Sequence, residues 1–476
     1  MTAGANVASE APRSIFAAPL RATSGGILVL ITLIAFEAMA VSAALPTAAR
    51  ALHGIGAYGW AFTGFLVANV LGMVVSGQLS DGRGPRLPLV AGMLAFLAGL
   101  ALAGSALSMT QLVAGRVVQG LGSGLLITAT YVVIGETYPE ALRPKLFAAL
   151  SSAWVLPSLI GPVVSGALAQ HASWRWVFLG LVPFVLLGCA LMLPVLRSLQ
   201  VPAAARTGVL TDRRRVLHAI AVAGGVAALE AAGQHPGALT AVLASAGVLA
   251  LVWGLRTLLP AGTVRARRGV AAPVALRGLL AGAFFGVESI VPLSLNIQHG
   301  YSATAAGLPL ACAGLTWALG SWWQGRETPG DEQERRVRLV RAGFAFLVLG
   351  AVLVAVSAQP AAPGWLIYPA WGLAGTGAGL AMTTVSVLLL KYTNDADRGA
   401  DSAALQLSDA TASAVSTGVA GVLVAAAARG ALGYTAAFTV LDVAMAAVAL
   451  VGVLAAGRVR AATSAAELGE AVAVPT

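Results

Sequence analysis

The sequence is poor in charge. Only 10% of its 476 residues are Asp, Glu, Lys or Arg, whereas 58% are hydrophobic. A water-soluble domain of this length needs far more charged side chains to cover its surface, so the composition excludes a soluble globular protein. We therefore expect lipid to surround most of the chain, as in an all-α polytopic membrane protein.

Cysteine and histidine are also scarce. The two cysteines, Cys189 and Cys312, lie in apolar stretches, which excludes a disulfide framework and a cysteine-based metal site. The five histidines are scattered, which disfavours a membrane-embedded enzyme. A G-x-x-x-x-G-K-[ST] loop is absent, and this removes ATP as a direct energy source. We predict no enzymatic activity, no metal and no cofactor.

Basic residues exceed acidic ones, with a net charge of +10, but no basic run is interleaved with aromatic residues. Nucleic-acid binding is therefore not indicated. The arginines fall instead in short segments between apolar stretches, which is a signal of membrane topology. The first 24 residues lack an apolar core followed by a small-residue cleavage site, so we predict no removable signal peptide.

Apolar stretches long enough to cross a bilayer, about 20 residues each, occur fourteen times. They cover 25–48, 57–79, 86–106, 110–134, 146–169, 176–197, 215–234, 238–257, 272–296, 303–323, 338–358, 365–390, 403–428 and 434–456. If the N-terminus is cytoplasmic and the segments alternate, only Arg50, Arg175 and Arg429 lie outside, and Arg116 lies within a helix. Every other basic residue, including Arg277, then falls on the cytoplasmic side. This bias predicts that both termini are cytoplasmic.

An internal repeat accounts for this number of helices. GLGSGL at 120–125 matches GTGAGL at 375–380, and at the same spacing Arg143 matches Arg398 without a gap. The fourth helix thus corresponds to the twelfth, as in a six-helix repeat with two helices inserted between the halves. The predicted domains are a cytoplasmic tail (1–24), a six-helix bundle (25–197), the two inserted helices with their linkers (198–271), a second six-helix bundle (272–456) and a cytoplasmic tail (457–476).

Three segments carry unusual patterns. The loop after the second helix reads GQLSDGRGPR, in which glycines permit a tight turn and close helix approach, and Asp81 can cap a helix or pair with an arginine. The fourth helix contains RVVQGLGSG from Arg116, a charge that must face the protein interior. The fifth contains PSLIGPVVSG, whose two prolines and two glycines, Pro157, Gly161, Pro162 and Gly166, predict a kink.

These segments resemble the signatures of the major facilitator superfamily, in particular its fourteen-helix drug:proton antiporters. The loop is similar to G-x-L-a-D-r-x-G-r-k through Gly77, Asp81, Gly84 and Arg86, although Gly82 and Pro85 replace basic positions. The other two are similar to R-x-x-Q-G-x-G-x-G and to the antiporter pattern g-x-x-x-G-P-x-x-G-G. The resemblance implies that the loop is a latch between the halves and that transport is outward. The alternative interpretation is that the loop is a charged turn with no gating role.

Acidic residues within helices are the candidate proton carriers, because burial and a nearby arginine act in opposite directions on a carboxyl group. Glu37 precedes the segment Ala43-Ala44-Leu45-Pro46, and the antiporters have an aspartate at the position of Glu37. This acid either carries protons or is an ion-pair partner of Arg116. Arg116 tunes that acid or fixes helix packing. Glu288, placed roughly opposite Glu37, and Asp409 are further candidates. Glu230, on an inserted helix that the family places at the periphery, and Asp442 are weaker ones.

We therefore predict a proton-coupled secondary transporter that exports drugs or small lipophilic or cationic compounds by alternating access. Its partners are the substrate, protons and the lipid bilayer. We expect a monomer in the cell (inner or plasma) membrane. Two alternatives remain open at this stage, a proton-coupled uptake symporter and a non-transporting membrane sensor on a carrier fold.

Overall fold

The computed structural model describes residues 14–18, 20–139, 142–199, 212–234, 238–326, 332–393 and 398–460. These residues form sixteen α-helices, which make fourteen spans that are long and apolar enough to cross a membrane. The predicted all-α fold with fourteen membrane helices is thereby confirmed. Most of the two predicted tails and the linker at 200–211 lie outside the described residues, and the domain boundaries stay predictions.

The helices follow the predicted segments closely. The first half contains α1 Arg21–Ala51, α2 Tyr58–Arg83, α3 Arg86–Gly104, α4 Met109–Thr137, α5 Arg143–His171, α6 Trp176–Leu179 and α7 Val182–Ser198. The inserted pair is α8 Arg213–Ala232 and α9 Ala238–Leu258. The second half contains α10 Ala271–Glu288, α11 Val291–Gln298, α12 Ala303–Gln324, α13 Glu332–Ser357, α14 Ile367–Tyr392, α15 Arg398–Ala428 and α16 Tyr434–Ala455. We call the end with the α1–α2 and α15–α16 loops the outer end and the opposite end the inner end, following the predicted orientation.

Two predicted helices are interrupted. The sixth is divided into α6 and α7, and the ninth into α10 and α11. In both cases a proline, Pro183 or Pro292, stands in the first turn after the break. Proline lacks an N–H donor and its ring clashes with the carbonyl of the residue four positions earlier, so a helix readily restarts there.

The helix α13 begins six residues before the predicted start at 338. The stretch from Arg326 to Arg335 reads as a solvated loop in the sequence, but the residues from Glu332 onward are helical. Glu332 forms an ion pair with Arg336 one turn later, and an acidic residue in the first turn also favours the helix start. Residues 327–331 lie outside the described part of the chain.

The two halves repeat the same glycine crossings. A Cβ added at Gly120 or Gly124 of α4 would lie 2.1 Å from a backbone oxygen of α2, that of Phe65 or Asn69. Their counterparts in α14, Gly375 and Gly379, would meet the carbonyl oxygens of Ala313 and Trp317 of α12 at 2.3 and 2.2 Å. Only glycine allows helix backbones to approach so closely, so the repeat seen in the sequence corresponds to a repeated packing arrangement.

The halves meet along two seams. Along the first, α5 packs on α12, and along the second, α2 packs on α15. The inserted helix α8 contacts both α2 and α15, whereas α9 packs mainly on α8. Large apolar side chains of α9, such as Leu249 and Trp253, are exposed, as expected for a helix that faces lipid.

The crossing at Gly124 provides a stability test. Gly124→Ala places a Cβ 2.1 Å from the Asn69 carbonyl oxygen, so we expect it to lower the free energy of unfolding by about 1–3 kcal/mol. Gly135→Ala on the same helix is the control. Its new Cβ would have no neighbour within 4 Å, and the change from glycine to alanine raises helix propensity as much as it does at Gly124. Thermal unfolding in detergent should separate the two variants. Equal melting temperatures would contradict the close crossing.

Candidate functional site

Arg116 lies within the predicted fourth membrane helix, and the structure places several partners around its guanidinium. Its side chain is 2% exposed. Nε donates to the Ala61 carbonyl of α2 at 3.0 Å, and Nη1 donates to Gln119 Oε1 at 2.8 Å. The guanidinium carbon also lies 4.2 Å from the centre of the Phe65 ring. These contacts provide acceptors and an aromatic face in place of water.

Glu37 of α1 completes this cluster. The Nη1 atom of Arg116 also donates to Glu37 Oε1, so α1 and α4 are joined by a buried ion pair. The second carboxylate oxygen, Oε2, is buried and makes no hydrogen bond to any described residue. Glu37 is therefore anchored through one oxygen and free at the other. The roles predicted for Glu37 and Arg116 stay predictions, but the two side chains are in contact.

Glu288 lies at the break between α10 and α11. It is the last residue of α10 and is 6% exposed, and it has no hydrogen bond or ion pair among the described residues. The next residue, Ser289, accepts a hydrogen bond at 2.7 Å from the hydroxyl of Tyr58, at the outer end of α2. Because Tyr58 belongs to the first half and Ser289 to the second, this bond joins the halves beside Glu288.

Asp409 has a cation partner. Its Oδ2 accepts a hydrogen bond at 2.6 Å from Nε of Arg277, whose Nη1 also donates to Ser386 Oγ at 3.2 Å. Arg277, which the predicted topology counts on the cytoplasmic side, lies two turns into α10 from its inner end. The pair ties α10, α14 and α15 together within the second half, which is a structural task that Asp409 performs in this arrangement.

Aromatic residues in the second half occupy the place that the ion pair has in the first. At the spacing of the repeat, Arg116 corresponds to Trp371, which is fully buried. Its ring stacks on Phe284 of α10 at 4.8 Å, and Trp317 meets Phe284 edge-on at 5.2 Å. Phe284 is missing from the candidates drawn from the sequence, although the repeat spacing applied to Arg116 leads to this cluster. Two other tryptophans, Trp154 and Trp322, are exposed.

The segment from Gly77 to Arg86 is helical up to Arg83, so the loop between α2 and α3 consists only of Gly84 and Pro85. Gly84 has φ +79°, a conformation that favours glycine, whereas a Cβ at Gly77 would meet nothing within 4 Å. No described residue approaches Gly77 closely, and the gating role of this segment stays a prediction. Asp81 and Arg86 are exposed and make no ion pair with another described residue. The adjacent Gln78 accepts a hydrogen bond from the Asp212 backbone at 2.8 Å, so this segment contacts the inserted pair.

The proline-rich helix α5 forms the first seam. A Cβ at Gly166 would lie 2.7 Å from the Ala303 carbonyl of α12, and one at Gly307 of α12 would lie 2.8 Å from the Pro162 carbonyl. Gly161 faces α1, where its nearest neighbour would be Met39 at 3.4 Å, and Pro157 is buried. The antiporter-like segment therefore packs against α12 of the second half and, on another face, against α1.

An outer cleft opens where the halves meet. Its volume is about 600 Å³, within the range of small-molecule sites, roughly 300–1,000 Å³. The lining comes from both halves: Thr47, Arg50, Ala51, Ala169 and Gln170 on one side, and Asn296, Ser302 and Ala303 on the other. Gln170 Oε1 also accepts a hydrogen bond from the Thr304 hydroxyl at 2.9 Å across the cleft. Polar side chains thus line the outer end of the first seam.

Two further acids are buried without partners. Asp442 of α16 and Glu230 of α8 are each 0% exposed, and neither carboxyl group makes a hydrogen bond within the described part of the chain. Glu230 belongs to the inserted helix α8, which the resemblance places at the periphery, and its side chain enters the second seam between α2 and α15. No group of three or more His, Cys, Asp or Glu side chains suited to a metal ion occurs among the described residues.

Comparison with known proteins assigns the family. The sequence profile of the Major Facilitator Superfamily matches residues 27–417, which is most of the chain. The chain belongs to the major facilitator superfamily. Among solved superfamily structures, a POT family transporter, PepTSo, aligns with a TM-score of 0.65 at 15% identity, over 92% of this chain and 98% of that one. At this identity the similarity concerns the fold alone.

Sequence relatives within the superfamily match a shorter stretch. The MFS efflux transporter aclA of Aspergillus oryzae is 37% identical over 139 residues, 29% of this chain and 25% of that one. The multidrug transporter protein MdtP of Bacillus subtilis is 30% identical over 153 residues, 32% of this chain and 28% of that one. The matches thus cover less than a third of the length of these curated relatives.

The buried pair allows a test of charge against packing. Arg116→Met leaves Glu37 without its cation, and we expect the free energy of unfolding to fall by about 3–5 kcal/mol. Adding Glu37→Gln removes the unpaired charge and should restore much of that loss. Thermal unfolding of the two single variants and the double variant would measure the coupling. A double variant as unstable as Arg116→Met would mean that Arg116 acts through its packing on Phe65.

Proposed function

We propose that this protein is a proton-coupled exporter of lipophilic or cationic small molecules that works by alternating access. The observation that carries the proposal is the free oxygen of Glu37 beside a guanidinium that has other partners. A proton can bind Oε2 while Arg116 keeps its bonds to Ala61 and Gln119 and its contact with Phe65. The site can therefore change its charge without losing its framework.

Proton binding at Glu37 changes the local charge from zero to +1. With Glu37 ionised, the pair is neutral and a carboxylate oxygen is available to attract a cation. With Glu37 protonated, the charge of Arg116 is no longer balanced, and a cationic substrate nearby is repelled. Proton and substrate thus compete for the same region, which is the requirement for exchange in opposite directions.

Glu288 is a second candidate for proton binding in this scheme. It is buried and unpaired, and it adjoins the Tyr58–Ser289 bond that joins the halves at the outer end. That bond has to break when the outer end opens. A proton at Glu288 would therefore act directly beside a contact that changes during transport. Asp409 is a weaker candidate, because Arg277 already occupies its carboxylate.

Several features support an apolar or cationic substrate and an outward direction. The cluster of Phe284, Trp317 and Trp371 offers aromatic surface, which suits lipophilic and cationic groups. The segment from Pro157 to Gly166 resembles the antiporter pattern, and relatives carry the names efflux transporter and multidrug transporter. A gradient of one pH unit supplies about 1.4 kcal/mol per proton, enough for roughly tenfold accumulation.

The setting of this proposal is a cell membrane, with both termini in the cytoplasm and a monomer as the working unit. The excess of arginine at the inner end supports the orientation. The segment that contains Asp81 and Arg86 forms no ion pair with a described residue of the second half. Its proposed latch function therefore belongs to another stage of the cycle, when the inner ends of the halves approach each other.

The direct test is substrate flux in proteoliposomes with an imposed pH gradient. We expect the unmodified protein to move a lipophilic cationic dye against proton flow. Glu37→Gln should reduce gradient-driven transport by about a hundredfold, because one side of the exchange is lost. It should retain dye exchange without a gradient, since the substituted side chain keeps its size and a hydrogen-bonding oxygen.

Glu136→Gln is the matched control, because Glu136 is an exposed acid at the inner end of α4. It should transport as the unmodified protein does. Coupled transport that persists in Glu37→Gln would contradict the assignment of Glu37 and move attention to Glu288. Dye movement together with protons, in the same direction, would contradict export and support uptake.

A further inference from the structure

The inserted helix α8 lies over the seam between α2 and α15. On one side it packs against α9 through close backbone contacts. A Cβ at Gly225 would lie 2.8 Å from the Gly247 carbonyl oxygen, and a Cβ at Gly247 would lie 2.8 Å from the Gly225 carbonyl oxygen. On the other side it contacts α2 of the first half and α15 of the second. A helix that contacts both halves in this way experiences any movement between them.

Glu230 enters this seam where its two helices cross. A Cβ added at Gly59 of α2 would lie 2.2 Å from the Cα of Gly421 of α15, so the two backbones are in direct contact there. The same Cβ would be 2.8 Å from Glu230 Oε1, and one at Gly421 would be 2.7 Å from that oxygen. Two glycines, one from each half, thus make the space that the carboxyl group occupies.

Among the described residues, no cation contacts this carboxyl group. From α2 it faces Gly59 and Thr63, whose hydroxyl forms no hydrogen bond with it in this arrangement. From α15 it faces Gly421. Arg429, which directly follows the end of α15, is exposed and donates to the Gly233 carbonyl at 2.7 Å. The only charged residue of α9 is Arg256, in its last turn at the inner end.

An ionised carboxylate cannot remain in such a place without a large cost. An unpaired charge that is removed from water loses its hydration, and no partner here replaces it. The neighbouring cavity between α8 and α15, about 230 Å³, does not provide one, because its lining is apolar and includes Val226, Leu229, Val415 and Val422. The closed seam therefore fits a neutral Glu230, whereas an ionised one requires water between α2 and α15.

We propose that Glu230 is a second proton-binding site, which holds the outer part of the α2–α15 seam closed when it is protonated and opens it when the proton leaves to the outer solution. The inserted pair is then a working part of the transport cycle. This goes beyond the export scheme built on Glu37, since it requires only that the halves move relative to each other. It does not depend on which substrate is carried.

The test measures the seam directly. Spin labels at His53→Cys and Ala431→Cys, both exposed at the outer end, report the distance between the α1–α2 and α15–α16 loops after Cys189 and Cys312 are replaced by serine. The measurement uses the full chain in lipid nanodiscs without substrate. A Glu37→Gln background removes the response of the first site, so any remaining response to pH comes from elsewhere.

We expect the open population in Glu37→Gln to rise about threefold between roughly pH 5.5 and pH 8, and to stay low at both values when Glu230→Gln is added. Glu37→Gln with Asp442→Asn is the matched control, because Asp442 is also buried and unpaired but lies away from the seam; it should respond as Glu37→Gln does. Equal responses with and without Glu230, or no response in either, would overturn the proposal.

A second measurement covers the case in which Glu230→Gln folds poorly. Infrared spectra of the Glu37→Gln protein should contain a protonated carboxyl band that fades as the pH rises, and Glu230→Asp should shift that band. A band that does not move in Glu230→Asp would assign it to another acid and overturn the proposal. Failure of coupled export in the dye experiment would leave both of these results unchanged, so the two proposals can fail separately.

Discussion

The arrangement of the first half depends on neutralising one guanidinium inside a helix bundle. Arg116 stays charged, so α1 has to supply Glu37, α2 has to supply the Ala61 carbonyl and the Phe65 ring, and α4 itself supplies Gln119. Three helices are thereby fixed around a single side chain. The close crossings of α4 allow this, because larger residues at Gly120 and Gly124 would push α2 beyond the reach of the guanidinium.

The second half keeps the crossings and changes the chemistry. Gly375 and Gly379 place α14 against α12 as their counterparts place α4 against α2, yet the position of Arg116 is taken by Trp371, which stacks on Phe284. One half therefore holds a charge that a proton can unbalance, and the other an aromatic surface at the equivalent place. This division suits the proposed exporter, in which one half would bind protons and the other would contact an apolar substrate, since a repeat preserves packing while individual side chains diverge.

Sequence patterns predict most of this fold because the bilayer imposes helix length and the arginines report topology. The contact of Glu37 with Arg116 was also within reach, since a buried charge needs a partner. The breaks before Pro183 and Pro292 were not predicted, although the prolines signal them. The surroundings of Glu230 could not be predicted for a physical reason: hydropathy identifies a helix as inserted, but only packing shows which side chain points into a seam. Phe284 is likewise invisible without knowing which helices face each other.

The contacts of the inserted helix α8 with both halves limit how the halves can move relative to each other. When two halves rock, a helix packed on both cannot follow both, and α8 contacts α2 and α15 together. Its contacts with at least one of them must therefore break and re-form in each cycle. Apolar contacts alone give such a joint no dependence on the proton gradient. In our proposal, a carboxyl group at the crossing of Gly59 and Gly421 supplies this dependence on protons, because opening the crossing admits the water that an ionised Glu230 requires. The opposite face of α2 carries Ala61 and Phe65, which hold Arg116, so both acids act on the same helix.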